Sequence, residues 1–274
     1  MKKFKDYAIK HPFVFGLILI LIYSLLGTLT YPVHFLFPET EFGQLLGDAL
    51  AKLITFLAFL IIYWRFGWLK DSGLARFGTL TTWLVFIPLL IYKILGYLYA
   101  FTGDLSFQIA DKGLASSFLT LSLGTSLVEE TLVRGLVITA MLLAWGNSKS
   151  GQFKALALSS LYFGMIHLFN LIGRPPGAVI LQALILVMPG FFYAAMVMKY
   201  KTLWPGIILH WLLNASVNIK LIGVEAYQET LPMWLTTAAF SIPLVLLSIY
   251  WVWKLPVEET GVGVISKTGS SSRI

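Results

Sequence analysis

The stretch SLVEETLVRGLV, residues 126–137, carries three ionisable side chains in an otherwise apolar region: Glu129, Glu130 and Arg134. Glu130 and Arg134 are four residues apart, a spacing at which opposite charges meet on one face of a helix. Glu129 lies about 100° around the helix from Glu130. We therefore predict a structural ion pair between Glu130 and Arg134 and a second carboxylate, Glu129, that is free to act as a general base. From this stretch alone, a buried ion network without chemistry is an equal alternative.

Two further stretches place polar side chains at helical spacing. FGMIH puts Phe163 and His167 on one helix face, and HWLLN does the same for His210 and Asn214. Taken singly, a histidine in a membrane helix such as His167 is more often a packing group than a catalyst, and His210 and Asn214 are also explained by a hydrogen bond between membrane helices. Together with Glu129 they supply one carboxylate, two imidazoles and one amide at similar depth, which is the composition of a hydrolytic site.

The composition indicates that membrane helices must position these residues. Of the 274 residues, 58% are hydrophobic and 12% are charged, whereas soluble domains average roughly 45–50% and about 25%. The chain has no cysteine, which excludes disulfides, thiolate metal sites and a cysteine nucleophile.

Stretches of roughly 20 apolar residues recur along the chain, the length that a helix needs to cross the bilayer. We predict an all-α, polytopic membrane helix bundle, because helices satisfy their own backbone hydrogen bonds in lipid. About eight transmembrane helices are expected, over residues 12–33, 45–64, 79–101, 117–141, 154–172, 178–198, 202–219 and 231–253. Residues 1–254 are treated as a single bundle and residues 255–274 as a flexible polar cytoplasmic tail.

The distribution of basic residues predicts the orientation. Cytoplasmic loops carry the excess of Lys and Arg, and an even number of spans with both termini cytoplasmic places most of the 20 basic residues inside. The net charge of +7 is then a consequence of topology, and no nucleic-acid partner is expected. We expect an integral, multi-pass protein of the bacterial cell membrane.

The segments EETLVR, FGMIH and HWLLN, in this order and on separate helices, resemble the EExxxR, FxxxH and HxxxN motifs of the CPBP family. These are the CAAX-processing and bacteriocin-processing, Rce1-like intramembrane proteases, also called the Abi family. The motif-bearing core covers about residues 115–219. The resemblance implies an intramembrane endopeptidase that hydrolyses a peptide bond of a membrane-associated or lipidated peptide or protein.

The resemblance also implies roles for individual residues. Glu129 and His167 would activate the attacking water. His210 and Asn214 would stabilise the oxyanion of the tetrahedral intermediate. Structural support would come from three further positions, Glu130, Arg134 and Phe163.

The sequence leaves the cofactor open and indicates the partners only by class. One carboxylate and two imidazoles can ligate zinc, in which case Glu129, His167 and His210 would be the ligands. The chain has no HExxH segment, and the resemblance favours a glutamate-dependent reaction without a cofactor, so zinc is left open. The expected partners are the lipid bilayer and a membrane-associated peptide or protein substrate; the sequence predicts no oligomeric state.

Two other functions are compatible with the same residues. One is a non-catalytic membrane regulator or bacteriocin-immunity protein on the same scaffold. The other is a proton-coupled transporter in which Glu129, Glu130 and the histidines form a relay. The three filled motifs favour the enzyme over the regulator, and the lack of internal repeats argues against the transporter.

Overall fold

The computed structural model describes residues 2–87, 91, 112–223 and 231–257, and in these ranges the chain forms helices and no β-strand. The predicted all-α class is confirmed. The α-helices are α1 (Lys2–Lys10), α2 (Pro12–Leu29), α3 (Glu41–Phe66), α4 (Lys112–Glu130), α5 (Ile138–Trp145), α6 (Lys149–Ile166), α7 (Pro176–Tyr200), α8 (Trp204–Gly223) and α9 (Leu231–Lys254). Short 3-10 segments cover Tyr31–Leu36 and His167–Ile172, and a π-helical segment covers Thr131–Val137.

Among the described residues, five helical stretches are long and apolar enough to cross a membrane. They are Pro12–Leu36, Phe42–Phe66, Lys149–Ile172, Pro176–Tyr200 and Trp234–Lys254. Each agrees with one predicted span to within five residues at either end. The predicted span 79–101 and the predicted tail 255–274 lie largely outside the described residues. The total of eight spans, the orientation and the single bundle therefore stay predictions.

Local signals explain where two of the long helices begin and one ends. Thr40 caps α3, since its Oγ1 accepts a hydrogen bond from the Gly43 amide at 3.1 Å. Ser148 caps α6 in the same way, from the Gly151 amide at 3.0 Å. After the last residue of α3, Phe66, the chain turns at Gly67, whose φ of 69° lies in the left-handed region that favours glycine.

The loop that follows α3, residues 67–78, is attached to the start of α8. The indole nitrogen of Trp204 donates to the Leu74 carbonyl at 3.0 Å, and the Leu203 amide donates to the Gly73 carbonyl at 3.3 Å. These bonds set the level in the bundle at which α8 begins. They thereby place His210 and Asn214, which α8 carries about two and three turns further on.

Glycines bring α6 and α7 into close contact. A Cβ atom on Gly164 would lie 2.5 Å from the Ala183 carbonyl oxygen, and one on Gly190 would lie 3.1 Å from the Ser160 Cα. Membrane helices associate through small residues of this kind, because packing replaces the hydrophobic effect in lipid. The contact fixes the C-terminal end of α6, where Phe163 lies.

Candidate active site

The three ionisable residues of SLVEETLVRGLV lie where regular α-helix changes to a π-helical turn. The helix α4 ends at Glu130, the π segment Thr131–Val137 carries Arg134, and α5 continues from it. Every residue from 128 to 142 is buried. Single π turns within helices are rare and occur frequently at functional sites. Because the π turn lies between Glu130 and Arg134, the Arg134 side chain leaves the helix in a different direction, relative to the two carboxylates, than it would in a regular α-helix.

Glu130 is shared between Arg134 and His210. Its Oε1 lies 3.2 Å from Arg134 Nη1 and 2.9 Å from His210 Nδ1. Glu130 and Arg134 are fully buried, and His210 is 4% exposed. Because a carboxylate only accepts hydrogen bonds, Nδ1 of His210 carries a hydrogen and donates it. The contact that the i, i+4 spacing predicts is present, and it extends to a third residue on α8.

The same imidazole also faces Glu129. His210 Nε2 lies 3.7 Å from Glu129 Oε2, which is too long for a direct hydrogen bond. Glu129 is 7% exposed, and its Oε2 has no hydrogen-bond partner among the described residues. The two groups are close enough to bind one water molecule between them.

Aromatic rings cover the guanidinium of Arg134. Its Cζ lies 3.9 Å from the ring centroid of Phe163 and 5.4 Å from that of Tyr193. Within the described part of the chain, Nε and Nη2 of Arg134 have no hydrogen-bond partner. A planar guanidinium stacks favourably on aromatic faces, so Phe163 supports the ion pair by direct contact.

His167 lies at a break in the helix rather than inside it. The helix α6 ends at Ile166, and His167 begins the 3-10 segment. Nδ1 of His167 bonds the Phe163 carbonyl at 2.8 Å. A carbonyl oxygen only accepts, so Nδ1 carries the hydrogen and Nε2 holds the lone pair of the neutral ring. The rings of His167 and His210 approach Phe163 edge-on, at 5.1 and 5.4 Å between centroids.

Asn214 lies one turn beyond His210 on α8 and contacts α4. Its Nδ2 is 3.5 Å from Ser126 Oγ, at the long limit of a hydrogen bond. Ser126 is itself buried and donates to the Ser122 carbonyl at 2.9 Å. The amide therefore lies beside the turn of α4 that precedes Glu129.

The possible zinc ligands are Glu129, His167 and His210. In the part of the chain that the structure describes, no group of three or more His, Cys, Asp or Glu side chains is arranged to hold a metal ion. Of the candidate ligands, Glu129 Oε2 and His210 Nε2 lie 3.7 Å apart, and Nδ1 of His167 bonds the Phe163 carbonyl.

Comparison with known proteins identifies the region that contains the site. Residues 111–216 match the family model of the type II CAAX prenyl endopeptidases, described as Rce1-like. In this segment the chain is similar to the Rce1-like family. The segment contains all three motifs, from EETLVR to HWLLN. No curated protein and no solved structure matches the chain.

The Rce1-like family is a family of proteases, as the description of its model states. The prediction from the three motifs is therefore confirmed at the level of the family. Together with the five apolar helices, this match indicates an integral, multi-pass membrane protein.

Two residues of the Rce1-like segment join the cluster although the sequence analysis did not single them out. The Tyr193 ring lies 5.8 Å from that of His210 and is almost fully buried. One tyrosine among 12 in an aromatic-rich chain carries no signal of such a position. Ser126 could have been found, because it lies three residues before Glu129 and so on a neighbouring part of the same helix.

Proposed function

We propose that this protein is an intramembrane endopeptidase that hydrolyses a peptide bond of a membrane-associated or lipidated peptide or protein. The observation that supports it most is the 3.7 Å approach of Glu129 Oε2 to His210 Nε2. This pair adjoins a buried ion pair in which Arg134 already balances Glu130. Glu129 is therefore the carboxylate left to exchange a proton with water.

In the first step, Glu129 removes a proton from a water molecule, and the resulting hydroxide attacks the scissile carbonyl carbon. His167 contributes its Nε2, whose lone pair accepts a hydrogen bond from the same water. The bond from its Nδ1 to the Phe163 carbonyl holds the imidazole in the tautomer that this requires.

In the second step, His210 and Asn214 stabilise the oxyanion that forms on the carbonyl oxygen. Asn214 donates from its amide nitrogen. His210 donates from Nε2 when both ring nitrogens carry hydrogen, a form that the developing oxyanion stabilises, and the Glu130 carboxylate at Nδ1 holds the ring in place. Donors held in place inside a water-poor site contribute most where charge develops.

In the third step, the tetrahedral intermediate collapses and the C–N bond breaks. The leaving nitrogen takes the proton that Glu129 accepted, so Glu129 returns to its carboxylate form. The products are a carboxylic acid and an amine, and one water molecule is consumed for each bond.

The test uses the purified protein in liposomes with fluorogenic peptides, each made with and without a prenyl group. Glu129→Gln keeps the shape of the side chain and removes the base, and we expect cleavage to fall by a factor of about 10² or more. His167→Ala should also reduce cleavage strongly. In H₂¹⁸O, mass spectrometry should find one ¹⁸O in the new carboxyl group.

The matched control is Asp48→Asn. Asp48 is a carboxylate of α3 whose Oδ1 bonds His34 at 2.9 Å, outside the Glu129 cluster, so its removal should leave cleavage unchanged. Equal product formation by the wild type, Glu129→Gln and His167→Ala would refute the mechanism.

A chelator arm tests the metal question on the wild-type protein. We expect cleavage to continue after dialysis against a strong chelator. Loss of cleavage with recovery on adding zinc would instead make Glu129, His167 and His210 the ligands to test.

A further inference from the structure

A tyrosine outside the Rce1-like segment reaches the turn that carries Arg134. Tyr63 on α3 is fully buried, and its hydroxyl donates to the Thr131 carbonyl at 2.6 Å. Thr131 is the first residue of the π segment. A Cβ atom on Gly135 would lie 1.5 Å from the Tyr63 hydroxyl oxygen. The hydroxyl therefore occupies space beside the π turn that only glycine at position 135 leaves open.

The π turn needs support of this kind. In an α-helix each carbonyl accepts from the amide four residues on, and in a π turn from the amide five residues on. The change of register disturbs the backbone hydrogen bonds where the two patterns meet, and buried carbonyls need partners. Tyr63 supplies a hydrogen to the carbonyl at this point. The Thr131 hydroxyl bonds the Leu127 carbonyl at 2.6 Å, which holds the chain on the preceding turn.

The orientation of the active-site cluster depends on this turn. Arg134 is the fourth residue of the π segment, and its Nη1 binds Glu130. Glu130 in turn binds Nδ1 of His210. If the segment returned to α-helical register, Arg134 would rotate about the helix axis and the three-residue contact would change.

We propose that Tyr63 is a positioning residue of the peptidase. Its hydroxyl holds the π turn in place and thereby orients Arg134, Glu130 and His210. The role in catalysis rests on the proposed function, whereas the role in orienting the cluster does not.

Tyr63→Phe tests the proposal, because it removes the hydroxyl and keeps the ring. Tyr162→Phe is the matched control. The Tyr162 hydroxyl also donates to a backbone carbonyl, that of Phe13, at 2.6 Å, and its ring also packs against a glycine, Gly16. The hydrogen bond between Tyr162 and Phe13 joins α6 to α2 and lies outside the π turn.

Both variants remove one hydrogen bond of a buried tyrosine, so both should unfold about 3 °C below the wild type. Only Tyr63→Phe should lower kcat, by about tenfold, while KM stays within about twofold, because misplaced catalytic groups slow the reaction without weakening binding. Unchanged kcat in Tyr63→Phe, or equal losses of kcat in both variants, would overturn the proposal.

A second measurement separates this proposal from the proposed function. The chain has four histidines, and their ring nitrogens can be followed by NMR after ¹⁵N-histidine labelling, with His210→Gln to assign the signals of His210. Tyr63→Phe should shift the His210 signals and leave those of His11 and His34 in place. Unshifted His210 signals would contradict the positioning role. If Tyr63→Phe shifts the His210 signals but the wild type cleaves no peptide, the positioning role is supported and the peptidase is contradicted.

Discussion

His210 connects the two carboxylates of EETLVR, which the helix directs about 100° apart. Its Nδ1 bonds Glu130 at 2.9 Å, and its Nε2 lies 3.7 Å from Glu129. Arg134 binds the same Glu130 oxygen as His210 does. Charges buried in a membrane require partners, so Glu130 balances a cation at the same time as it orients the imidazole.

This dual role gives a prediction for Glu130→Gln. The variant leaves the buried Arg134 without a counter-charge, which should lower the free energy of unfolding by about 3 kcal/mol. It also removes the carboxylate at Nδ1 of His210, so peptide cleavage should be lost. Denaturation in detergent and the liposome cleavage assay measure the two effects.

Asp48→Asn is again the control for this prediction. The Asp48 side chain is 50% exposed and pairs with His34, so its loss should change stability little. A Glu130→Gln protein as stable and as active as the wild type would show that Arg134 does not depend on Glu130.

At the scale of elements, the depth of His167 depends on how α6 packs against α7. Gly164 lies three residues before His167, and α7 leaves no room for a Cβ atom there. An apolar side chain at this point must push the two helices apart. Helix packing in lipid relies on such close approaches, so the glycine positions the histidine.

We therefore expect Gly164→Ala to destabilise the protein by about 1–3 kcal/mol and to reduce cleavage through the displacement of His167. Thermal unfolding and cleavage rates measure both. Gly27→Ala in α2 is the matched control, because a Cβ atom there meets nothing within 4 Å, and it should not destabilise. If Gly164→Ala matched Gly27→Ala in both measurements, the packing argument would be wrong.

At the scale of the whole molecule, the placement of charge predicts the topology. The basic N-terminus, the loop after α3 and the C-terminal tail are assigned to the cytoplasm, since Lys and Arg are retained there. The segment between α2 and α3, which carries Glu39, and the start of α3 at Glu41 are then extracellular.

The absence of cysteine makes this topology directly testable. We expect a membrane-impermeant maleimide to label Glu39→Cys on intact cells and to label Ser272→Cys only after the cells are permeabilised. The wild type provides the background, since it has no thiol to react. Labelling of Ser272→Cys on intact cells would contradict a cytoplasmic C-terminus.

The amino-acid sequence by itself determined the helical class, the positions of the five long apolar helices among the described residues and the contacts within one helix. Apolar stretches of bilayer length form helices because the backbone must satisfy its own hydrogen bonds in lipid. The pairing of Glu130 with Arg134 and that of Phe163 with His167 follow from the i, i+4 spacing of the residues. The three motifs also carried the resemblance to the Rce1-like family, whose model matches residues 111–216.

Only the tertiary structure decided which groups meet between helices. Nothing in the spacing of residues shows that His210 bonds Glu130, that Tyr63 supports the π turn, or that Tyr193 lies beside His210. The physical reason is that apolar residues facing lipid and apolar residues facing the bundle look alike in a membrane sequence. The choice of neighbouring helices and their relative height is made by close packing and by a few polar contacts, which become visible only in the folded molecule.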